Sequence, residues 1–220
     1  MLNRVAVQNG MTQPRLQLKT TESDFGFQKP DVKVWDGKEK ITSQEGFAWL
    51  QKDGWELIGH TVLVVGKTMD LAEAMGVDRK EQVHYARGAL LHDLGKMRIA
   101  EDILMKAGPL SDDEWEQMRL HPIYGSDLIG EMNYLKASMD ILLYHHEWWN
   151  GNGYPFRLSG EQIPLAARIF AVVDVWDALR SVRPYREPWK KDEIKRYLRK
   201  QAGKQFDPAV VEVALREVFL

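Results

Sequence analysis

An all-α fold is predicted from about residue 46 to the end of the chain. Two observations carry it: apolar residues settle into three- and four-residue spacing after Gly46, and capping or breaking residues punctuate the segments that result. Before that point the chain is polar and aperiodic except at Val32–Ile41, where alternation flanks Asp36-Gly37, a pair suited to a tight hairpin turn. Residues 1–45 therefore read as a short extension or tether that could form a β-hairpin, and 46–220 as one domain. Leu57, Val64, Val65, Leu71 and Met75 define a first helix that Gly76 could end. A second begins near Asp78, runs through Val83, Ala86, Leu90 and Leu91 to His92-Asp93, and stops near Gly95. Ser111-Asp112-Asp113-Glu114 reads as a capping box, and Pro122 either starts a further helix or kinks that one. A buried helix is expected over 138–147. Asn150-Gly151-Asn152-Gly153-Tyr154-Pro155 is dense in turn formers, and Pro164 is expected to open a long apolar helix through Ile169, Val173, Trp176 and Leu179. Lys191 to Leu220 reads as two amphipathic helices broken at Asp207-Pro208, so many long helices are expected.

Composition narrows the chemistry. With 220 residues the chain holds one large domain, or one domain and an appendage. Thirty Lys and Arg against 32 Asp and Glu leave a formal charge of −2, which argues against binding duplex nucleic acid by bulk phosphate neutralisation. The absence of Cys excludes disulfides, a thiolate nucleophile and thiolate-ligated metals, so any metal must be held by His and carboxylates. The longest wholly apolar stretch, Ile169–Val173, is far short of the roughly 18 residues of a membrane span. Arg4, Arg15 and Lys19 interrupt any signal-peptide core, and the expected compartment is the cytoplasm.

Five of the six His lie in or beside apolar helical stretches, next to acidic or turn residues. Glu56 and His60, four apart, share one helical face and could face one metal. His92-Asp93 ends an apolar helix, where the two oxygens of Asp93 could bridge two cations, and Lys96 lies within reach of a bound anion. His121 stands alone, His145-His146 close the next apolar helix, and Asp174 is a carboxylate buried by pattern. Taken singly, each has an ordinary reading: Glu56 and His60 as a surface pair, Lys96 as a helix-end lysine, Asp174 as a partner of Arg168 or Arg180. Four separate sites of one ligand type make that joint reading improbable, whereas His84 fits no such pattern and is taken as structural.

Leu90-Leu91-His92-Asp93-Leu94-Gly95-Lys96, His121-Pro122-Ile123-Tyr124-Gly125, His145-His146-Glu147, Gly151-Asn152-Gly153-Tyr154-Pro155 and Ile163-Pro164-Leu165-Ala166-Ala167-Arg168 follow one another as in the HD-GYP domain, a branch of the HD phosphohydrolases. The likeness continues through Asp174-Val175-Trp176-Asp177-Ala178-Leu179, Ser181-Val182-Arg183-Pro184-Tyr185-Arg186 and Gly203–Pro208, covering about 56–218. The resemblance implies an HD-type helical domain that hydrolyses cyclic di-GMP, with either linear pGpG or GMP as the final product, using two or three divalent ions, usually iron or manganese. By position it implies Glu56, His60, His92, Asp93, His121, His145, His146 and Asp174 as metal ligands, with Asp93 bridging and Glu56 allowing a third ion. It assigns Asp93 and Lys96 to catalysis, and Lys96, Tyr154, Arg183 and Arg186 to contact with the nucleotide, although the two Arg could also form a solvated turn. It further implies a cyclic dinucleotide as partner, a Gly153-Tyr154-Pro155 loop available to a protein partner, and a chain that could oligomerise.

Three positions depart from the family pattern. Asn150 stands where the loop usually starts with Asp, Arg157 replaces a usual Gly, and Leu63 sits where an Arg often follows the first His. Asn keeps the turn chemistry, whereas Arg157 would be strained at positive φ. These changes leave room for another cyclic dinucleotide or nucleotide phosphoester as substrate, and for a noncatalytic cyclic-dinucleotide receptor.

Overall fold

The computed structural model describes residues 55–130, 132–181 and 187–220, with the backbone alone over 55–59. The extension expected over 1–45 and its Asp36-Gly37 hairpin lie outside the described residues, as do Arg183 and Arg186. Among the described residues there are helices and turns but no strand, as the spacing of the apolar residues predicts.

Helix α1 spans Trp55–Ala74 and ends at Gly76, whose φ of 78° is the left-handed conformation that a glycine adopts freely. Helix α2, Arg79–Leu91, starts where the Asp78 side chain accepts a hydrogen bond from the Lys80 amide. A 3-10 turn, Leu94–Arg98, and the short α3, Glu101–Leu104, lead to α4, Asp112–Met118, whose Ser111–Glu114 capping box is complete. Pro122 sits in the first turn of α5, His121–Ile129, so it starts a new helix and does not kink the preceding one. After a second 3-10 turn, Asn133–Ser138, come α6, Met139–Tyr144, the loop around Gly153, α7, Leu165–Arg180, and α8, Lys191–Gln201. The chain closes with α9, Pro208–Val213, capped by Asp207 and continued by a π-helical turn, Ala214–Val218.

Two expectations need correction. Of the described helices only α1, α2, α7 and α8 exceed ten residues, so most of the helices are short. The helix expected over 138–147 is only Met139–Tyr144, because Ser138 belongs to the preceding 3-10 turn and the His145 imidazole takes over the last carbonyls, donating from Nδ1 to the Ile141 oxygen at 2.9 Å. That early stop releases His145 and His146 from the helix.

Helix α7 is the axis of the core. Ala166, Ile169, Phe170, Val172, Val173, Trp176 and Leu179 bury most of its circumference, as a helix enclosed by others requires. Helix α1 packs on α2 and α7, contributing Val64 and Leu71, while α8 offers one stripe, Ile194 and Leu198, four residues apart. Each such side chain stabilises the fold by about 1.5–3 kcal/mol. A smaller cluster of Ile129, Leu135 and Leu142 holds α5 and α6 together. Gly95 seats the 3-10 turn directly on α5: a Cβ there would lie 1.9 Å from the His121 carbonyl oxygen, so only glycine brings Asp93 and Lys96 this close to His121.

Candidate metal centre

The same helices deliver their polar residues to one place. His60 comes from α1, His92 and Asp93 from the end of α2, His121 from the first turn of α5, His145 and His146 from the turn after α6, and Asp174 from the middle of α7. Two sets of three potential ligand atoms result, His121, His145 and His146 in one and His60, His92 and Asp174 in the other, each with its atoms within 4.8 Å of one another.

Hydrogen bonds fix which ring nitrogens face inward. The Nδ1 of His92 lies 2.8 Å from the Ala89 carbonyl oxygen, that of His121 2.8 Å from the Met118 oxygen, and that of His145 2.9 Å from the Ile141 oxygen. A carbonyl only accepts, so each Nδ1 carries a proton; the Nε2 atoms of His121 and His145 then present lone pairs, while that of His92 faces the Asp93 carboxylate. His60 follows the same pattern with a carboxylate, its Nδ1 lying 2.5 Å from Asp177 Oδ2. The consequence is visible at His121 and His145, whose Nε2 atoms face each other at 3.3 Å with no proton between them. Converging lone pairs are repulsive unless a cation sits among them, so the donor set fits a divalent metal.

Asp93 stands between the two sets. Its Oδ2 is 3.2 Å from His92 Nε2 and 2.7 Å from Lys96 Nζ, while its Oδ1 is 3.5 Å from His121 Nε2. One oxygen thus faces each set. Burial would raise this carboxyl, but the His92 hydrogen bond, with His92, Lys96 and His145 nearby, holds it well below the usual range. Burial also pushes His145 far down and, with His121 alongside, His146 down to about 3. His92 moves the other way, because the hydrogen bond and charge of Asp93 outweigh burial. The imidazoles of the first set are consequently neutral near pH 7, the state a metal ligand needs.

Asp174 is not as buried as its pattern suggests: its side chain keeps 23% of its exposure, and its Oδ1 lies 3.9 Å from His60 Nε2. Nor does it pair with Arg168, whose Nη1 instead binds Asp207 at 2.6 Å. Burial raises the Asp174 carboxyl, and the charges of His92, His60 and Lys96 nearby do not reverse the shift. Glu56 lies one turn before His60 in α1, its side chain outside the described residues. His84 belongs to neither set, as expected.

The loop after His146 forms a wall. The Tyr154 ring stacks on His146, with centroids 4.7 Å apart and planes at 26°. Gly153 makes that possible, since a Cβ there would come within 2.5 Å of the His146 carbonyl oxygen. Glu147, part of the His145-His146-Glu147 motif but given no role on the sequence, is buried and pins the far side, its two oxygens accepting from the Phe156 amide at 2.6 Å and the Leu158 amide at 3.0 Å. Asn150 retains turn chemistry, accepting from the Asn152 amide at 3.1 Å, whereas Arg157 has a φ of 57°, the conformation that strains a side chain there. Leu63 lies half-buried on α1. A cavity of about 400 Å³ opens between this loop and α4, lined by His145, His146, Asp174, Tyr154, Trp115 and Arg119 among others. Asp177, Trp115 and Arg119 were also missed. Asp177 had a signal in its three-residue offset from Asp174 on one helix face, whereas the two α4 residues look like an ordinary solvated surface.

The described helices include none long and apolar enough to cross a membrane. A family model described as HD domain matches residues 49–210. Among characterised proteins, the cyclic di-GMP phosphodiesterase response regulator RpfG of Xanthomonas campestris is 45% identical over 148 residues, 66% of this chain and 39% of its own length. The 3'3'-cGAMP-specific phosphodiesterase 2 of Vibrio cholerae is 38% identical over 147 residues, 66% of this chain and 28% of its own length. The chain therefore spans well under half of either relative. Among solved structures, Bd1817, an HDG"Y"P protein from Bdellovibrio bacteriovorus, superposes with a TM-score of 0.57 over 70% of this chain and 49% of its own, at 22% identity, a likeness of fold.

Proposed function

The chain belongs to the HD domain family, and on that premise we propose that its 46–220 domain is a metal-dependent phosphodiesterase that opens cyclic di-GMP to linear pGpG and then to GMP, with residues 1–45 as a tether. The observation that carries this reading is Asp93, placed with one oxygen toward each set of three ligands. One ion would be held by His121, His145 and His146, a second by His60, His92 and Asp174, with Asp93 shared between them and Glu56 available to a third. Imidazole and carboxylate donors without thiolate suit iron or manganese. Such a pair of cations would supply a water acidified toward neutral pH and screen the charge of the phosphodiester.

The chain's own residues do the rest. Asp177 holds the His60 ring in its ligating orientation, and the Ala89, Met118 and Ile141 carbonyls do so for three other rings. Lys96, now on Asp93, would turn to a nonbridging phosphate oxygen, and Tyr154, its ring stacked on His146, would present its edge and hydroxyl to the nucleotide. Arg183 and Arg186 would grip the nucleotide from the segment after α7. The new bond joins the water oxygen to phosphorus, and the bond to the 3'-oxygen breaks. A protein partner would dock on the outer edge of the Gly153-Tyr154-Pro155 loop, and the domain could act as an oligomer in the cytoplasm.

The Vibrio relative favours a second reading, 3'3'-cGAMP as substrate. Turnover measured against a panel of cyclic dinucleotides, with ferrous iron or manganese under low oxygen, decides between them. Turnover of cyclic di-GMP by way of pGpG at the highest kcat/KM is expected. A preference for 3'3'-cGAMP would install the second reading, and tight binding without turnover would mark a receptor.

A further inference from the structure

Arg119 projects from the last turn of α4 without a carboxylate partner among the described residues. Its guanidinium carbon instead lies 5.9 Å from the centre of the Trp115 ring and 5.8 Å from that of Tyr154. Trp115 is one turn earlier on the same helix, so the helix itself sets their spacing. Tyr154 in turn stacks on His146, and the order outward from the ligand set is His146, Tyr154, Arg119, Trp115. All four line the cavity beside the metal centre.

We infer that Arg119 and Trp115 form a guanine-selective base subsite, Arg119 reading the base edge and Trp115 providing a stacking face; this rests on the phosphodiesterase reading above. Arg119 and Trp115 stand beyond Tyr154, one stacked ring out from His146 in the same cavity, where the nucleoside of a phosphate held at the ligand sets would reach. The guanidinium is a planar fork whose donors meet no hydrogen-bond acceptor among the described residues, and guanine presents two acceptors, O6 and N7, at matching separation. Adenine offers N7 beside an amino group, which cannot accept the second bond. Cation–π contact with two rings holds the fork at the cavity mouth without consuming its hydrogen bonds. Trp115 keeps 44% of its surface exposed, leaving a ring face for a base of either kind.

The test is binding of 5'-GMP and 5'-AMP to the manganese-loaded full chain and its variants, followed by calorimetry. The parent should prefer GMP roughly tenfold, as one good bidentate contact allows. Arg119→Ala and Arg119→Lys should both erase that preference, because an ammonium cannot reproduce the fork. Trp115→Ala should weaken both nucleotides by roughly tenfold and keep the preference. Arg119 is exposed, so the variants should melt and hold metal like the parent. Equal binding of GMP and AMP by the parent, an intact preference in the Arg119 variants, or loss of metal from them would each overturn the inference. Cyclic di-GMP turnover by the parent is a separate measurement: its absence would end the phosphodiesterase reading, while the nucleotide preference would still report on Arg119.

Discussion

His121, His145 and His146 stand together with no carboxylate inside their set, whereas His60 and His92 share theirs with Asp174 and have Asp177 behind one ring. The same side chain therefore meets opposite electrostatics a few ångströms apart. In the first set burial drives the imidazoles toward the neutral form, and the only carboxylate oxygen facing it among the described residues is Asp93 Oδ1. In the second, Asp93 pulls His92 toward the charged form, and Asp174 brings a second negative charge. An all-imidazole set depends on the shared carboxylate to neutralise its ion, while the mixed set has charge of its own. The two sets should respond differently to the same perturbation.

The largest effect is expected from Asp93→Ala, which removes the only carboxylate common to both sets among the described residues. Elemental analysis should find little bound metal, and turnover should fall by roughly 10³-fold, about 4 kcal/mol of transition-state stabilisation. Full metal content in this variant would end the shared role. Next come His145→Ala and His60→Ala, each expected to lower metal content by about one equivalent. They should part in stability. His145 is buried and bonded to the neutral Ile141 carbonyl, so its loss should cost about 1–3 kcal/mol in the metal-free protein, whereas loss of His60 leaves the buried Asp177 carboxylate without its ring partner and should cost more. Equal melting temperatures would erase the contrast.

Asp177→Asn probes the mixed set alone. Replacing the acceptor of the His60 Nδ1 proton should weaken metal binding there by roughly 10- to 100-fold and leave the all-imidazole set as it was, which a titration with two resolvable steps would show. The smallest effect belongs to the loop that leans on His146. Arg157→Gly relieves a left-handed residue worth about 1–2 kcal/mol while adding about 0.5–1 kcal/mol of chain entropy to be lost on folding. Thermal melts should register a net gain of about 0.5 kcal/mol, with Arg157→Ala gaining nothing and metal content unchanged in either.

The class of fold and the kind of chemistry are legible along the chain alone. Helical spacing in Val64 and Leu71 or Ile194 and Leu198 is a local property of the chain, and so are the caps at Asp78 and Ser111. The absence of Cys left His and carboxylates as the ligand types, and ordered motifs named seven residues that the fold does bring together. Tertiary structure decided what depends on relations between segments. It divided the ligands into two sets, oriented the rings of His92, His121 and His145 through carbonyl partners one turn back, and gave Asp93 one oxygen for each side. It also recruited Asp177 to His60, 117 positions away, and brought Arg119 from α4 over Tyr154. Spacing along one helix fixes which residues share a face, but the approach of two helices is set by packing at Gly95 and in the core around Phe170, and a hydrogen bond across that gap leaves no period in the sequence to read.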